Sequence, residues 1–462
     1  MTEPVDGSRD REAIMADRHA VNPDGGTGRP LHRRKGPLGL LELIAIGVGG
    51  MIGGGIFSML GLAVSITGHA APLAFLIGAM VALFAGYSYI RLALTFRNDG
   101  ASYVYMARAF PHRPEISTLV GWTVTIGYVG TLALYAFTFG AYGADMLGQS
   151  HSPLIRMALS LAVLVFFLLV NLRGARTTGR TEDLVVYAKI IILGVFAVAG
   201  LHTIETRNMM PLFDKGFASI FMAGALIFVA FEGFQLITNA VTETEKPERN
   251  IPRGIYGAIV ITSVIYILLA VVAIGNLPQQ RIIAAEEYAL AEAARPVLGE
   301  AGVLLVGVAA LLATSSAINA TVFGAARLMA EMARERRMPS VLAARNLDNV
   351  PWVATIVLIA LGGLFTLAGG LKVIASFSSM TFLLVSIGVS VANWRLRDRT
   401  QATPWAVLAG IGLMGTTVLL LVVHLVRNEP ETLLAMLGIY LAAGIPAWRY
   451  GRRLAPRHGD TD

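Results

Sequence analysis

The sequence predicts an all-α polytopic membrane protein with twelve transmembrane helices, and three observations carry that prediction. Apolar residues make up 55% of the chain and charged residues 15%, where an ordinary soluble domain carries about 25% charge. The charges fall in short clusters separated by apolar stretches of about 20 residues, the length that crosses a bilayer. Those clusters also differ in sign bias, which gives an orientation. Apolar periods place spans near 38–66, 71–95, 117–147, 153–171, 181–203, 216–242, 253–276, 300–332, 351–370, 373–394, 403–426 and 430–448. Alternate connections, beginning with the N-terminal segment, hold twenty-nine Lys and Arg residues, among them Arg33, Arg34, Lys35, Arg452 and Arg453. The opposite set holds seven, including Arg156, Arg281 and Lys372. By the positive-inside rule both termini are cytoplasmic and the protein sits in the cell membrane. The formal charge of +7 is then a topology signal and calls for no nucleic-acid partner.

Residues 1–37 are rich in Gly, Pro, Asp and Arg and show no apolar period, so a disordered cytoplasmic tail is expected. The first apolar run comes too late and is too long for a signal peptide. The first span contains GVGGMIGGGIFSMLG, Gly47–Gly61, with seven glycines in fifteen residues. A dinucleotide fingerprint fails because Ile52 stands where a third glycine is needed, and a phosphate loop fails because Ile56-Phe57 follow the glycines. Close helix packing explains Gly47, Gly50 and Gly54. It does not explain three consecutive glycines, Gly53, Gly54 and Gly55, on three helix faces. A break in the helix does. Unwinding frees amide N–H groups at the positive end of the following half-helix, where an anion binds, and glycine lets the ligand reach the backbone.

The fifth span carries Lys189, the one basic residue that falls in neither set of clusters. Counted from Thr181 it lies about 12 Å into the helix at ~1.5 Å per residue. Two readings are open: an ammonium that snorkels to the interface, or an intramembrane proton or ion site. The sixth span contains FVAFEGFQ, Phe228–Gln235, with a glycine and an acid in an apolar stretch. Interruptions in corresponding spans of two halves point to the binding site of a secondary transporter. One break offers N–H donors to an anion and the other offers carbonyls to an ammonium, a pair suited to a zwitterion. Between the seventh and eighth spans, Arg281–Gly299 reads as one or two amphipathic helices on the outer face, either a solvated connector or a lid. Ser315 and Ser316 lie in the eighth span, residues 397–450 hold the last two spans, and 451–462 form a second cytoplasmic tail.

The longest connection is about 20 residues, which leaves no room for a soluble catalytic domain. The chain has no Cys, and its eight His show no metal-ligand spacing, so no enzyme chemistry, metal or cofactor is expected.

Four segments carry a family resemblance: GVGGMIGGGIF, NLRGARTTGRTEDLVVYAK (Asn171–Lys189), FVAFEGFQLITNAVTETEKPERNIPRGI (Phe228–Ile255) and SSAINATVFGAARLMAEMARERRMP (Ser315–Pro339). In this order and spacing the chain resembles the amino acid–polyamine–organocation superfamily from about residue 38 onward. It is most similar to the proton-coupled, sodium-independent amino-acid transporters. The resemblance implies a core over 38–396 of two inverted five-helix repeats plus two C-terminal helices, with helices 1 and 6 discontinuous. It implies that Gly53, Gly54 and Gly55 meet a substrate carboxylate and that backbone carbonyls near Val229, Ala230 and Glu232 meet its amine, with Ile52, Phe231 and Gly233 completing the substrate-binding set. It also implies that Lys189 occupies the place of a sodium ion, between carbonyls of the first span and hydroxyls of the eighth, here Ser315 or Ser316.

The expected function is import of amino acids by proton-coupled alternating access, with protons as coupling ion. The partners are then a small amino acid and the bilayer, with no obligate protein partner. The alternatives are an uncoupled exchanger of amino acids, amines or polyamines, and a non-transporting sensor. Glu232 has three readings: recognition of a cationic substrate, a second proton site, or a local hydrogen bond away from the cavity.

Overall fold

The computed structural model describes residues 38–97, 102–174 and 179–454, with the backbone alone over 179–183. The expected tail over 1–37 and most of the 451–462 tail lie outside the residues so described. Helix dominates, and β structure among the described residues is limited to an isolated parallel bridge between Leu38 and Thr244.

The helices are α1 Leu40–Met51, α2 Gly55–Thr67, α3 Ala71–Phe96, α4 Ser102–Ala109, α5 Pro114–Met146, α6 Pro153–Leu172, α7 Gly179–Leu201 and α8 Ala218–Leu226. Then come α9 Pro247–Asn276, α10 Gln279–Ala285, α11 Ala289–Arg334, α12 Trp352–Ala368, α13 Leu371–Arg395, α14 Arg397–Thr400, α15 Pro404–Asn428 and α16 Pro430–Arg453. Proline starts many of them. Pro72, Pro114, Pro153, Pro247, Pro404 and Pro430 stand in the first turn, where the missing N–H costs no hydrogen bond and the fixed φ already suits a helix.

Helix occupies each of the twelve predicted stretches, and among the described residues ten helical segments are long and apolar enough to cross a membrane. The remaining two stretches are shorter: α1, and the 17-residue α12. The protein is a multi-pass membrane protein. Its central helices α5 and α13 are mostly buried, whereas α6 and α16 turn side chains such as Leu154, Phe166 and Leu441 outward. An apolar side chain facing outward is stable only against lipid, so these helices mark the rim.

Three expectations are revised. The last helix runs to Arg453, beyond the apolar period that ends near residue 448, because Arg449, Arg452 and Arg453 are good helix formers at a terminus where positive charge is favoured. The Arg281–Gly299 connector is helical but not solvated: Ile282, Ala285, Glu287, Ala291 and Ala294 are buried. It ends at Gly299, whose φ of 66° breaks α11 into a connector helix and a long span. The third revision concerns the glycine triplet and is given with the site.

Candidate functional site

Both predicted interruptions exist. Helix α1 stops at Met51, and the chain turns through Ile52–Gly54 before α2 begins. Ile52 N–H donates to Val48 O at 2.8 Å and Gly53 N–H to Met51 O at 2.8 Å, closing a tight turn. Gly54 is the N-cap of α2, and no side chain caps it. The amides of Gly55, Ile56 and Phe57 therefore lie in a first helical turn, where N–H groups have no intrahelical acceptor. This is a buried, positive helix end.

The second interruption tightens before it opens. After α8 the chain forms a 3₁₀ turn over Ile227–Phe231, becomes extended at Glu232, and passes through Gly233 at φ 141° into a second 3₁₀ segment, Phe234–Glu243. A side chain at Gly233 would be strained by that φ alone. Ser379 on α13 stitches the first turn, accepting from Val229 N–H at 3.0 Å and donating to Leu226 O. Gln235 spans the gap: its Oε1 accepts from Gly233 N–H at 3.2 Å and its Nε2 donates to Glu232 Oε2 at 2.7 Å.

The two breaks meet backbone to backbone. A Cβ at Gly233 would stand 2.6 Å from Gly50 C and Met51 N, and one at Gly55 would stand 2.7 Å from Ala230 Cα. Gly53 and Gly54 lie under Tyr135, with Ala317 and Thr314 of α11 as further neighbours. All three members of the triplet thus serve close packing. The break makes this possible by turning Gly53 and Gly54 toward the same two helices, α5 and α11, and Gly55 toward the second break, where a continuous helix would point three consecutive residues about 100° apart.

Carbonyls freed at the first break are met by two buried side chains. Lys189, fully buried on α7, donates from Nζ to Gly49 O at 2.9 Å and to Ile52 O. It lies about 15 Å from the start of α7 at ~1.5 Å per residue, and it does not snorkel. Tyr266 on α9, fully buried, donates to Met51 O at 2.7 Å and to Ala230 O at 3.0 Å, so a single hydroxyl joins the two breaks. Its ring packs edge-on against Phe231 and Phe75.

Of the residues singled out in the sequence, Gly53, Gly54, Gly55, Val229, Ala230, Phe231, Glu232 and Gly233 are buried at the junction, with Ile52 and Lys189 beside them. Ser315 and Ser316 are half-buried on α11, and neither hydrogen-bonds Lys189 among the described residues; α11 presents Thr314 and Ala317 to the break instead. Glu232 makes the local hydrogen bond to Gln235 described above. Tyr266 and Ser379 escaped the sequence reading because uncharged polar residues recur in these spans, Thr262 and Ser263 before Tyr266 and Ser376, Ser378 and Thr381 around Ser379; only tertiary contact reveals what each holds.

The two sides of the junction differ. On the α2 side, the connector packs so tightly that Gly61 leaves no room for a Cβ beside Glu286 O. There the largely buried ion pair Arg156–Glu287 ties the connector to α6, and Tyr142 donates to Phe57 O at 3.0 Å. On the α1 side lies a cavity of about 30 Å³, lined by Tyr89, Ser102, Tyr128, Gln235, Thr238 and Asn239 among others. Among the described residues, no group of three or more His, Asp or Glu is placed to hold a metal ion.

Residues 38–442 match the family model described as amino acid permease. The chain belongs to that family. Within the amino acid–polyamine–organocation superfamily this permease-family chain is a transporter, not an enzyme. It is 30% identical to the inner membrane transport protein YbaT of Escherichia coli over 405 residues, covering 87% of this chain and 91% of that one. An uncharacterized protein of Methanocaldococcus jannaschii is 31% identical over 394 residues, covering 85% and 90%. The branched-chain amino acid permease BcaP of Bacillus subtilis is 24% identical over 390 residues, covering 80% and 83%.

Proposed function

We propose that this permease imports amino acids into the cell by proton-coupled alternating access. The observation that carries this reading is the junction itself: two interrupted helices cross at bare glycine backbone, and a fully buried lysine holds the carbonyls of one interruption. The uncapped start of α2 suits a carboxylate, and the carbonyl side of the 227–231 turn suits an ammonium. Protonated Lys189 holds the Gly49 and Ile52 carbonyls and keeps the first break in its binding form. Loss of its proton removes the charge-assisted hydrogen bonds, loosens the break and frees the substrate. The family model and the permease relatives support an amino-acid substrate. Helix at all twelve predicted stretches supports twelve crossings as two inverted five-helix repeats plus two helices. The charge bias supports cytoplasmic termini in the cell membrane.

The test is uptake by proteoliposomes under an imposed pH gradient, across a panel of amino acids. Uptake that follows the gradient is expected. Exchange indifferent to the gradient would replace coupling by uncoupled exchange, and binding without uptake would make the protein a sensor.

A further inference from the structure

The outward side of α16 changes character at its C-terminal end. Leu434, Leu437, Leu441, Ile445 and Trp448 are all exposed and follow at spacings of three and four, which sets them in one stripe along the helix. The next position of that stripe is Arg452, also exposed. It lies about 6 Å beyond Trp448 at ~1.5 Å per residue. The stripe thus passes from aliphatic side chains to a tryptophan and then to a guanidinium, the order of a bilayer from its centre to its surface. Contacts bring three helix ends together there. Gly451 packs so closely on the first turn of α5 that an added Cβ would stand 2.3 Å from Glu115 Cα. This brings the last turn of α16 to Arg113, the N-cap of α5. The Arg113 N–H donates to Phe110 O at 3.1 Å, and the Arg395 guanidinium at the end of α13 lies 4.8 Å from the Phe110 ring. On α16 itself, Arg453 lies 5.5 Å from the Tyr450 ring, which packs on Trp122 of α5.

The charge of this corner is unbalanced. Arg113, Arg395, Arg449, Arg452 and Arg453 are all exposed. Among the described residues none of the five enters an ion pair or a side-chain hydrogen bond. Glu115, in the first turn of α5, is the acid set against them, and it pairs with none. Arginines elsewhere at this end of the bundle are matched: Arg97 with Glu248, Arg334 with Glu331 at 3.1 Å and Arg337 with Glu335 at 2.7 Å. Like charges gathered without counter-ions repel, and an anion supplied from outside removes that cost. The planar fork of a guanidinium suits a phosphate, which it meets with two parallel N–H donors.

We propose that the corner of α5, α13 and α16 binds the phosphate of an anionic phospholipid. An acyl chain lies along the Leu434–Trp448 stripe, and Arg452, at the end of that stripe, meets the phosphate with Arg113 and Arg449 as its neighbours. The occupant is a lipid and not a soluble anion, because the cations continue an apolar stripe that lipid tails cover. The site needs the membrane-spanning fold and not the transport reading. The charge bias puts it in the cytoplasmic leaflet, where anionic lipids attract basic segments.

Native mass spectrometry of the full-length protein in detergent, titrated with phosphatidylglycerol or phosphatidylcholine, tests this without any substrate. The wild type should retain phosphatidylglycerol in preference to phosphatidylcholine. Arg452→Gln should weaken phosphatidylglycerol binding about fivefold, and Arg113→Gln combined with it about 25-fold. Phosphatidylcholine binding and the melting temperature should not change. Arg452→Lys, which keeps the charge, should recover most of the loss and so separates charge from a folding defect. Arg427→Gln, in the last turn of α15 at the opposite end of the bundle, removes the same charge and should leave binding as it is. Equal retention of the two lipids by the wild type, or an effect of Arg427→Gln as large as that of Arg452→Gln, overturns the proposal. Displacement of the lipid by inorganic phosphate would make this a soluble-anion site and overturns it as well.

Discussion

Replacing Tyr266 by Phe removes one oxygen from the middle of the junction and almost nothing else. The ring stays between Phe75 and Phe231, whose centroids lie 5.7 Å and 5.4 Å away, so no cavity opens and no apolar contact is lost. What disappears is the hydroxyl that reaches Met51 O at 2.7 Å and Ala230 O at 3.0 Å. One proton serves both carbonyls, so the net hydrogen bond is worth about 1 kcal/mol, and leaving a buried carbonyl unmet brings the cost to about 1–3 kcal/mol. Because each carbonyl belongs to a different break, the loss falls on their relative placement, which is what a zwitterion bound across both would sense. At 1.4 kcal/mol per decade this weakens amino-acid binding roughly ten- to a hundredfold. Isothermal titration of the purified variant measures the change, with melting temperature followed in parallel. Wild-type affinity in Tyr266→Phe would refute the reasoning, and a lowered melting temperature with unchanged affinity would reduce Tyr266 to a stabilising contact.

Three further outcomes are expected. Lys189→Ala should abolish uptake driven by a pH gradient while substrate counterflow persists; gradient-driven uptake at the wild-type rate would exclude Lys189 as the coupling group. Gly55→Ala should destabilise the fold by about 1–3 kcal/mol through overpacking against Ala230. Gly412→Ala, at a helix position with no heavy atom within 4 Å of the added carbon, serves as the control in the same thermal melts. Glu287→Gln should free the connector, because Arg156 loses its countercharge in a mostly buried pair, at a cost below the ~3–5 kcal/mol of a fully buried one. A cysteine placed at Ser58 in this cysteine-free chain should then react faster with an impermeant thiol reagent added from outside; equal rates would show that the ion pair does not secure the connector.

Much of the fold was legible because lipid makes the sequence simple. Every spanning backbone must satisfy itself, so apolar length alone located helix at all twelve stretches. The breaks were legible because glycine clusters and a lone acid are expensive within a span and demand a reason. Lys189 stood out for the same cause, although its carbonyl partners at Gly49 and Ile52 are set by tertiary contact. Less was visible where the answer depended on neighbours. The connector over 281–299 carries the charges of a surface segment, and its burial follows from Gly61 and the Arg156–Glu287 pair, which lie far apart in sequence. Ser315 and Ser316 illustrate a one-residue limit. Rotation of α11 by about 100° per residue puts Thr314 and Ala317 at the break rather than the two serines.

The contact of Gly50 with Gly233 has a mechanical meaning. Side chains are compliant and absorb motion by changing rotamer, but two peptide backbones in contact have no such freedom. The crossing therefore acts as a rigid bearing. A tilt of α1 would bear on the 234–243 segment through the peptides themselves, with no side chain between to absorb it.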